Sequence, residues 1–105
     1  MRRHIILLKL KDETTEEQIE DIRRGFEAMP PQIPGMHFVG VAPNISEGPR
    51  AKRYNYVITM DFDTYKAYRT YEDSDLHDRQ VAEKLVPVVE HIMGADYDIG
   101  ETPRE

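Results

Sequence analysis

Cysteine is absent from all 105 residues. That excludes disulfides, thiolate nucleophiles and any zinc or iron–sulfur centre built on cysteine. Basic charge is also scarce: 14 Lys and Arg stand against 20 Asp and Glu, a net charge of −6. Phosphate recognition rests on clustered Lys and Arg, and the basic clusters here, such as Arg2-Arg3 and RAKR at 50–53, are short, so no nucleic-acid partner is expected. The longest strongly apolar run near the start, Ile5 to Leu8, is too short for a signal peptide or a membrane span. A soluble, cytoplasmic protein with no membrane partner is therefore expected. There is no glycine-rich phosphate loop and no Ser-His-Asp pattern. His77 with Asp78, or Asp73 with Asp75, would supply metal donors, but neither pair has a spacing that demands a site. The expected cofactor and metal complement is none.

What is present reads as one folded domain of alternating strands and helices. RHIILLKLK at 3–11 is a β-branched and leucine-rich run that ends at Asp12 and predicts a strand. Thr15-Glu16-Glu17-Gln18 has the form of a capping box, and Ile19, Ile22, Phe26 and Met29 follow at helical spacing, which predicts a helix over 15–28. Pro30-Pro31 stops it. PPQIPG forces a turn, and MHFVGVAP at 36–43 predicts a second strand. Tyr54, Tyr56, Ile58, Met60 and Phe62 alternate with polar or smaller residues, giving a third strand over 53–62. A short helix begins after Asp63 or Thr64, and Ser74-Asp75 restarts helix after it. Val81, Leu85, Val88 and Ile92 give that longer helix an apolar face, which Pro87 should kink or split and Gly94 should end. ADYDI at 95–99 predicts a short last strand, and GETPRE a frayed tail.

The resulting order, β-α-β-β-α-β, is that of a ferredoxin-like α+β unit: an antiparallel four-stranded sheet with its helices on one face. A chain this short has a small core of its own. Ile5, Leu7, Val39, Val41 and Val57 are expected to point away from the helices and are too apolar to face water. Pairing that face with the same face of a second copy would form a homodimer and close a two-subunit α/β barrel.

The most informative stretch runs from Tyr65 to His77. Tyr65, Tyr68 and Tyr71 recur at i, i+3 and i+6 along one side of a helix, and His77 follows six residues after Tyr71, past the polar EDSD turn. A phenol that donates a hydrogen bond and an imidazole that carries a proton near neutral pH are enough for acid–base chemistry on a small organic molecule. Aromatic residues at helical spacing also fill cores, and a histidine in a polar turn also caps locally, so both readings stand at the level of sequence. His91 and Asp96 read as surface residues.

HIILLKLKDETTEEQIEDI, the PGM turn, YNYVITMDF, the Tyr71-to-His77 spacing and the VAEKLVPVVE-to-DYDI ending together resemble the stress-responsive A/B barrel family, of the dimeric α+β barrel superfamily, over about residues 3 to 99. The resemblance implies a homodimeric barrel. One plant member is a cofactor-free polyketide cyclase, and its catalytic tyrosine and histidine are similar to Tyr71 and His77, with a first-strand histidine similar to His4. The resemblance thus implies Tyr71 and His77 as catalytic residues and His4, Phe26, Tyr56 and Ile58 as ligand-binding ones. The chain departs from the pattern at Tyr56, where that cyclase has a pocket histidine, and at Ser74-Asp75-Leu76-His77, where the family commonly has His-Pro-x-His. The implied function is binding of a small carbonyl-bearing or aromatic molecule, with cyclase-like or lyase chemistry; the alternative is a non-catalytic, stress-linked structural or binding dimer.

Overall fold

Side chains alternate along the first strand, β1 (Arg2–Leu10), so that His4, Ile6, Leu8 and Leu10 are buried while Ile5, Leu7 and Lys9 lie on the opposite face. The buried set is covered by helices, and the strand sits in the middle of a four-stranded antiparallel sheet. The structure is a computed structural model that describes residues 1–49 and 53–105. Of the basic RAKR cluster, only Arg53 falls within the described residues.

Helix α1 (Glu16–Glu27) begins as its sequence dictates: Thr15 accepts from the Gln18 N–H at 3.1 Å, and the Gln18 side chain accepts from the Thr15 N–H at 2.8 Å. Ile22 and Phe26 bury its inner face. Pro30–Gln32 forms a single 3₁₀ turn, after which Gly35, at φ +86°, reverses the chain into β2 (Met36–Pro43). Strand β3 (Tyr56–Phe62) pairs with both β2 and β1. It starts later than the alternation suggested because the Asn55 side chain replaces the ladder, accepting from Leu10 N–H at 2.8 Å and donating to Leu10 C=O at 3.2 Å. Helices α2 (Tyr65–Glu72) and α3 (Asp75–Gln80) follow, capped by Thr64 and Ser74. Strand β4 (Val89–Asp98) completes the sheet in the order β2-β3-β1-β4, with the helices on one face. The fold is ferredoxin-like.

Two sequence expectations are corrected. The last helix does not continue past Pro87: α3 ends at Gln80, a π-helical turn covers Val81–Leu85, and β4 starts at Val89. Proline has no N–H to give and crowds the preceding turn, so the chain leaves the helix there. Ile92 and Gly94 are strand residues opposite Leu8 and Ile6. The last strand is accordingly longer than 95–99. The second correction concerns β2. Met36 pairs with Phe62 but Val39 pairs with Met60, three residues against two, and this bulge flips everything after it. Val39 and Val41 therefore share the helix-covered face with Met60 and Ile58, and Phe38, whose ring lies over Gly40, takes the outer face.

The core joins Leu8, Phe26, Ile58, Met60, Phe62, Tyr71 and Leu85 between sheet and helices. The outer face carries Ile5, Leu7, Val57, Phe38 and Met93, the last two about half exposed. The tail at 100–105 has no regular secondary structure, and the Pro103 and Arg104 carbonyls accept from the Tyr65 and Lys66 N–H groups at the start of α2, both at 2.8 Å. Among the described residues no helix is long and apolar enough to cross a membrane.

Candidate functional site

Tyr71 lies on the buried side of α2, one residue before its end, and the Ser74 hydroxyl then starts α3 by accepting from the His77 N–H at 3.1 Å. The EDSD turn thus folds His77 back beside Tyr71. Their ring centroids are 4.8 Å apart in an edge-on arrangement. His4 reaches the same place from β1, 6.3 Å from the Tyr71 ring and 5.5 Å from that of Tyr68, and Phe62 of β3 closes the floor at 5.4 Å from Tyr71. Three of the expected site residues, His4, Tyr71 and His77, are therefore brought together.

The other three are placed differently. Phe26 and Ile58 are fully buried in the same core as Tyr71. Tyr56 packs against that core but pairs with Leu8, four residues along β1 from His4, which at strand spacing is about 13 Å away.

Polar contacts tie the cluster together. His4 Nδ1 is 2.6 Å from Asp96 Oδ1, and Arg2 donates to Asp96 Oδ2 at 2.8 Å while its guanidinium lies 4.1 Å over the Tyr68 ring. Glu72 stands between the histidines, 4.0 Å from His4 Nε2 and 3.7 Å from His77 Nε2. The remaining His77 nitrogen, Nδ1, is 3.1 Å from Asp78. Asp96 is a surface residue, as its sequence position suggests, but it is also the partner of His4. Glu72 and Asp96 are functional candidates that sequence reasoning missed. Glu72 could have been noticed as the one acid directly following Tyr71, whereas Asp96 is found only from the β1–β4 register, which pairs it with His4.

Among the described residues two buried side-chain polar atoms are unpaired, the Thr14 hydroxyl and, within this cluster, the Tyr71 hydroxyl. Burial, with Glu72 and Tyr68 nearby, raises its ionisation well above that of an ordinary phenol. Tyr68 is pushed up to about 12 by burial and by the Glu72 carboxylate beside it. Both phenols are therefore neutral donors at physiological pH. Among the described residues no group of three or more His, Cys, Asp or Glu is arranged to hold a metal ion. Surface clefts of about 410, 330 and 210 Å³ lie by Gly35 and Thr70, by Tyr65 and Arg104, and by Gln18 and Pro87; none of the three is lined by Tyr71 or His77.

Comparison with known families gives one match, to the model of the stress responsive A/B barrel domain, over residues 3–99. The chain belongs to this family. Solved structures agree on the fold. A dimeric ferredoxin-like protein of unknown function from Jannaschia sp. is 20% identical, with 93% of this chain and 98% of that one covered and a TM-score of 0.81. A dabb family protein with a ferredoxin-like fold from Mesorhizobium loti is 24% identical over 92% and 94% of the two chains, with a TM-score of 0.76. The hydroxynitrile lyase of Passiflora edulis is 22% identical over 96% and 94%, with a TM-score of 0.79. At such identities the likeness establishes the fold alone. No curated protein matches the sequence.

Proposed function

We propose that this A/B barrel protein binds a small carbonyl-bearing or aromatic molecule at Tyr71 and His77 and acts on it as a cofactor-independent lyase or cyclase. The observation that carries the reading is the buried, unpartnered Tyr71 hydroxyl. Buried polar groups are nearly always paired, and leaving one unpaired costs stability. A phenol kept protonated and unpaired beside an imidazole is suited to donate to a substrate carbonyl. His77 then takes a proton from the carbon next to that carbonyl, and the Tyr71 hydroxyl stabilises the oxygen on which negative charge develops. His4 would form the ligand's surroundings with Phe26 and Ile58 in the core behind it, while Tyr56, about 13 Å along the sheet from His4, lies outside them. That a protein of the same fold is a hydroxynitrile lyase supports the lyase reading.

Association is part of the proposal. Ile5, Leu7, Val57, Phe38 and Met93 form an apolar outer sheet face, and similar proteins are described as dimeric. Face-to-face pairing into a homodimeric barrel would remove that face from water, at about 25 cal/mol for each Å² of apolar surface. The cysteine-free composition suits a reducing cytoplasm.

A second reading has its own observation. Tyr71, Phe26 and Ile58 are fully buried, so a ligand must displace side chains to reach them, and a filled core suits a non-catalytic, stress-linked structural or binding dimer. A thermal-shift screen with β-keto acids, aromatic ketones and aldehydes, and hydroxynitriles separates the two. The proposal expects at least one compound to raise the melting temperature of the wild type but not of Tyr71→Phe or His77→Ala. A screen in which nothing binds, or in which the variants respond like the wild type, favours the structural dimer.

A further inference from the structure

Among the described residues Glu72 is the one carboxylate that faces both histidines of the cluster. It ends α2, directly after Tyr71, with its side chain three-quarters buried, and its two oxygens are divided: Oε1 lies 4.0 Å from His4 Nε2 and Oε2 lies 3.7 Å from His77 Nε2. The opposite nitrogen of each ring is held by a different acid. His4 Nδ1 meets Asp96 at 2.6 Å, itself fixed by Arg2, and His77 Nδ1 meets Asp78 at 3.1 Å. Each imidazole is thus suspended between two carboxylates, and the chain Asp96–His4–Glu72–His77–Asp78 runs across β4, β1, α2 and α3 past the rings of Tyr68 and Tyr71. Removing Asp96 or Asp78 would release one ring. Removing the charge of Glu72 would loosen the Nε2 side of both.

We propose that Glu72 is a positioning residue: a single carboxylate shared between His4 and His77 that orients both imidazoles at their Nε2 atoms. The proposal rests on the reading of Tyr71 and His77 as a site and adds to it a reason for His4 to be there. An anion between two imidazoles favours an N–H directed at it from each, so the ring orientation that a ligand meets at His77 depends on a group that His4 also uses, and the His77 Nδ1, beside the exposed Asp78, is the nitrogen left to take a proton. Glu72 need not touch a ligand to do this.

The test requires no ligand, so it can fail separately from the proposed function. Imidazole ¹⁵N–¹H correlation spectra, recorded at one pH for the wild type and Glu72→Gln, report the hydrogen-bonding state of each ring nitrogen in all four histidines. His37, paired with Asp63 at 3.2 Å, and His91 on β4 serve as controls within the same spectrum. The expected result is displacement of the Nε2 resonances of both His4 and His77, with His37 and His91 unmoved. A change at only one of the pair, at neither, or equally at all four overturns the proposal. A second arm asks whether the coupling passes through Glu72: His77→Ala should move the His4 Nε2 resonance in the wild-type background and leave it unmoved in the Glu72→Gln background. Equal movement in both backgrounds contradicts it.

Discussion

Replacing Tyr71 with phenylalanine removes one oxygen and leaves the ring, so it isolates the hydroxyl. The ring packs against Phe62 at 5.4 Å, His77 at 4.8 Å and His4 at 6.3 Å, and none of these contacts needs the oxygen. The hydroxyl has no partner among the described residues, and burying an unpaired polar group costs about 1–3 kcal/mol. Tyr71→Phe should therefore leave the protein as stable as the wild type or more stable by about 1 kcal/mol, a rise in melting temperature of roughly 4–8 °C for a domain near this size. Tyr71→Ala should lose about 3–5 kcal/mol, because it opens a cavity in a fully packed core. Urea denaturation monitored by circular dichroism at fixed protein concentration measures both. Loss of about 1 kcal/mol or more in Tyr71→Phe would refute the reasoning, since it would show that the hydroxyl already has a structural partner and is not held for a ligand.

Three further outcomes follow from the same contacts. Tyr68 and Tyr71 ionise at higher pH in the fold than in the unfolded chain, so the stability they contribute is complete below about pH 10, the unfolded phenol value, and is lost as pH rises toward and through their folded values; phenolate absorbance should show both still protonated at pH 11 and ionising with unfolding. Gly25→Ala would ordinarily gain about 1 kcal/mol of helix propensity, but a Cβ there would collide with the Gln80 amide, which donates to the Ile22 carbonyl at 3.1 Å, so a lower melting temperature is expected. Leu7→Asp places a charge in the middle of the outer sheet face without touching the helix-covered core; light scattering should find the wild type at twice the monomer mass and the variant at the monomer mass.

Where local rules act alone, the sequence was readable. The capping box at Thr15, the stop at Pro30-Pro31 and the caps at Thr64 and Ser74 are each set by a few neighbouring residues, and each stands where the pattern puts it. The Tyr71-to-His77 spacing was informative for the same reason: a capped turn of fixed length brings the rings to 4.8 Å. Non-local pairing was less legible. Val88 and Ile92 continue a helical period perfectly well, and only pairing with β1 draws the chain after Pro87 into a strand. The bulge in β2 adds one residue at no visible cost in sequence, yet it exchanges the faces of Val39 and Phe38. Asp96 and Glu72 come from distant parts of the chain, and nothing near either residue indicates that both meet His4.

The central claim is that Tyr71 and His77 receive a small carbonyl-bearing ligand. An NMR titration with an aromatic ketone that raises the melting temperature, following the ring signals of Tyr71, His77 and His4, tests it most directly. Saturable shifts at these three residues in the wild type, abolished in Tyr71→Phe, are predicted. Shifts that never saturate, that persist unchanged in Tyr71→Phe, or that map instead to the cleft beside Gly35 and Thr70 would contradict it.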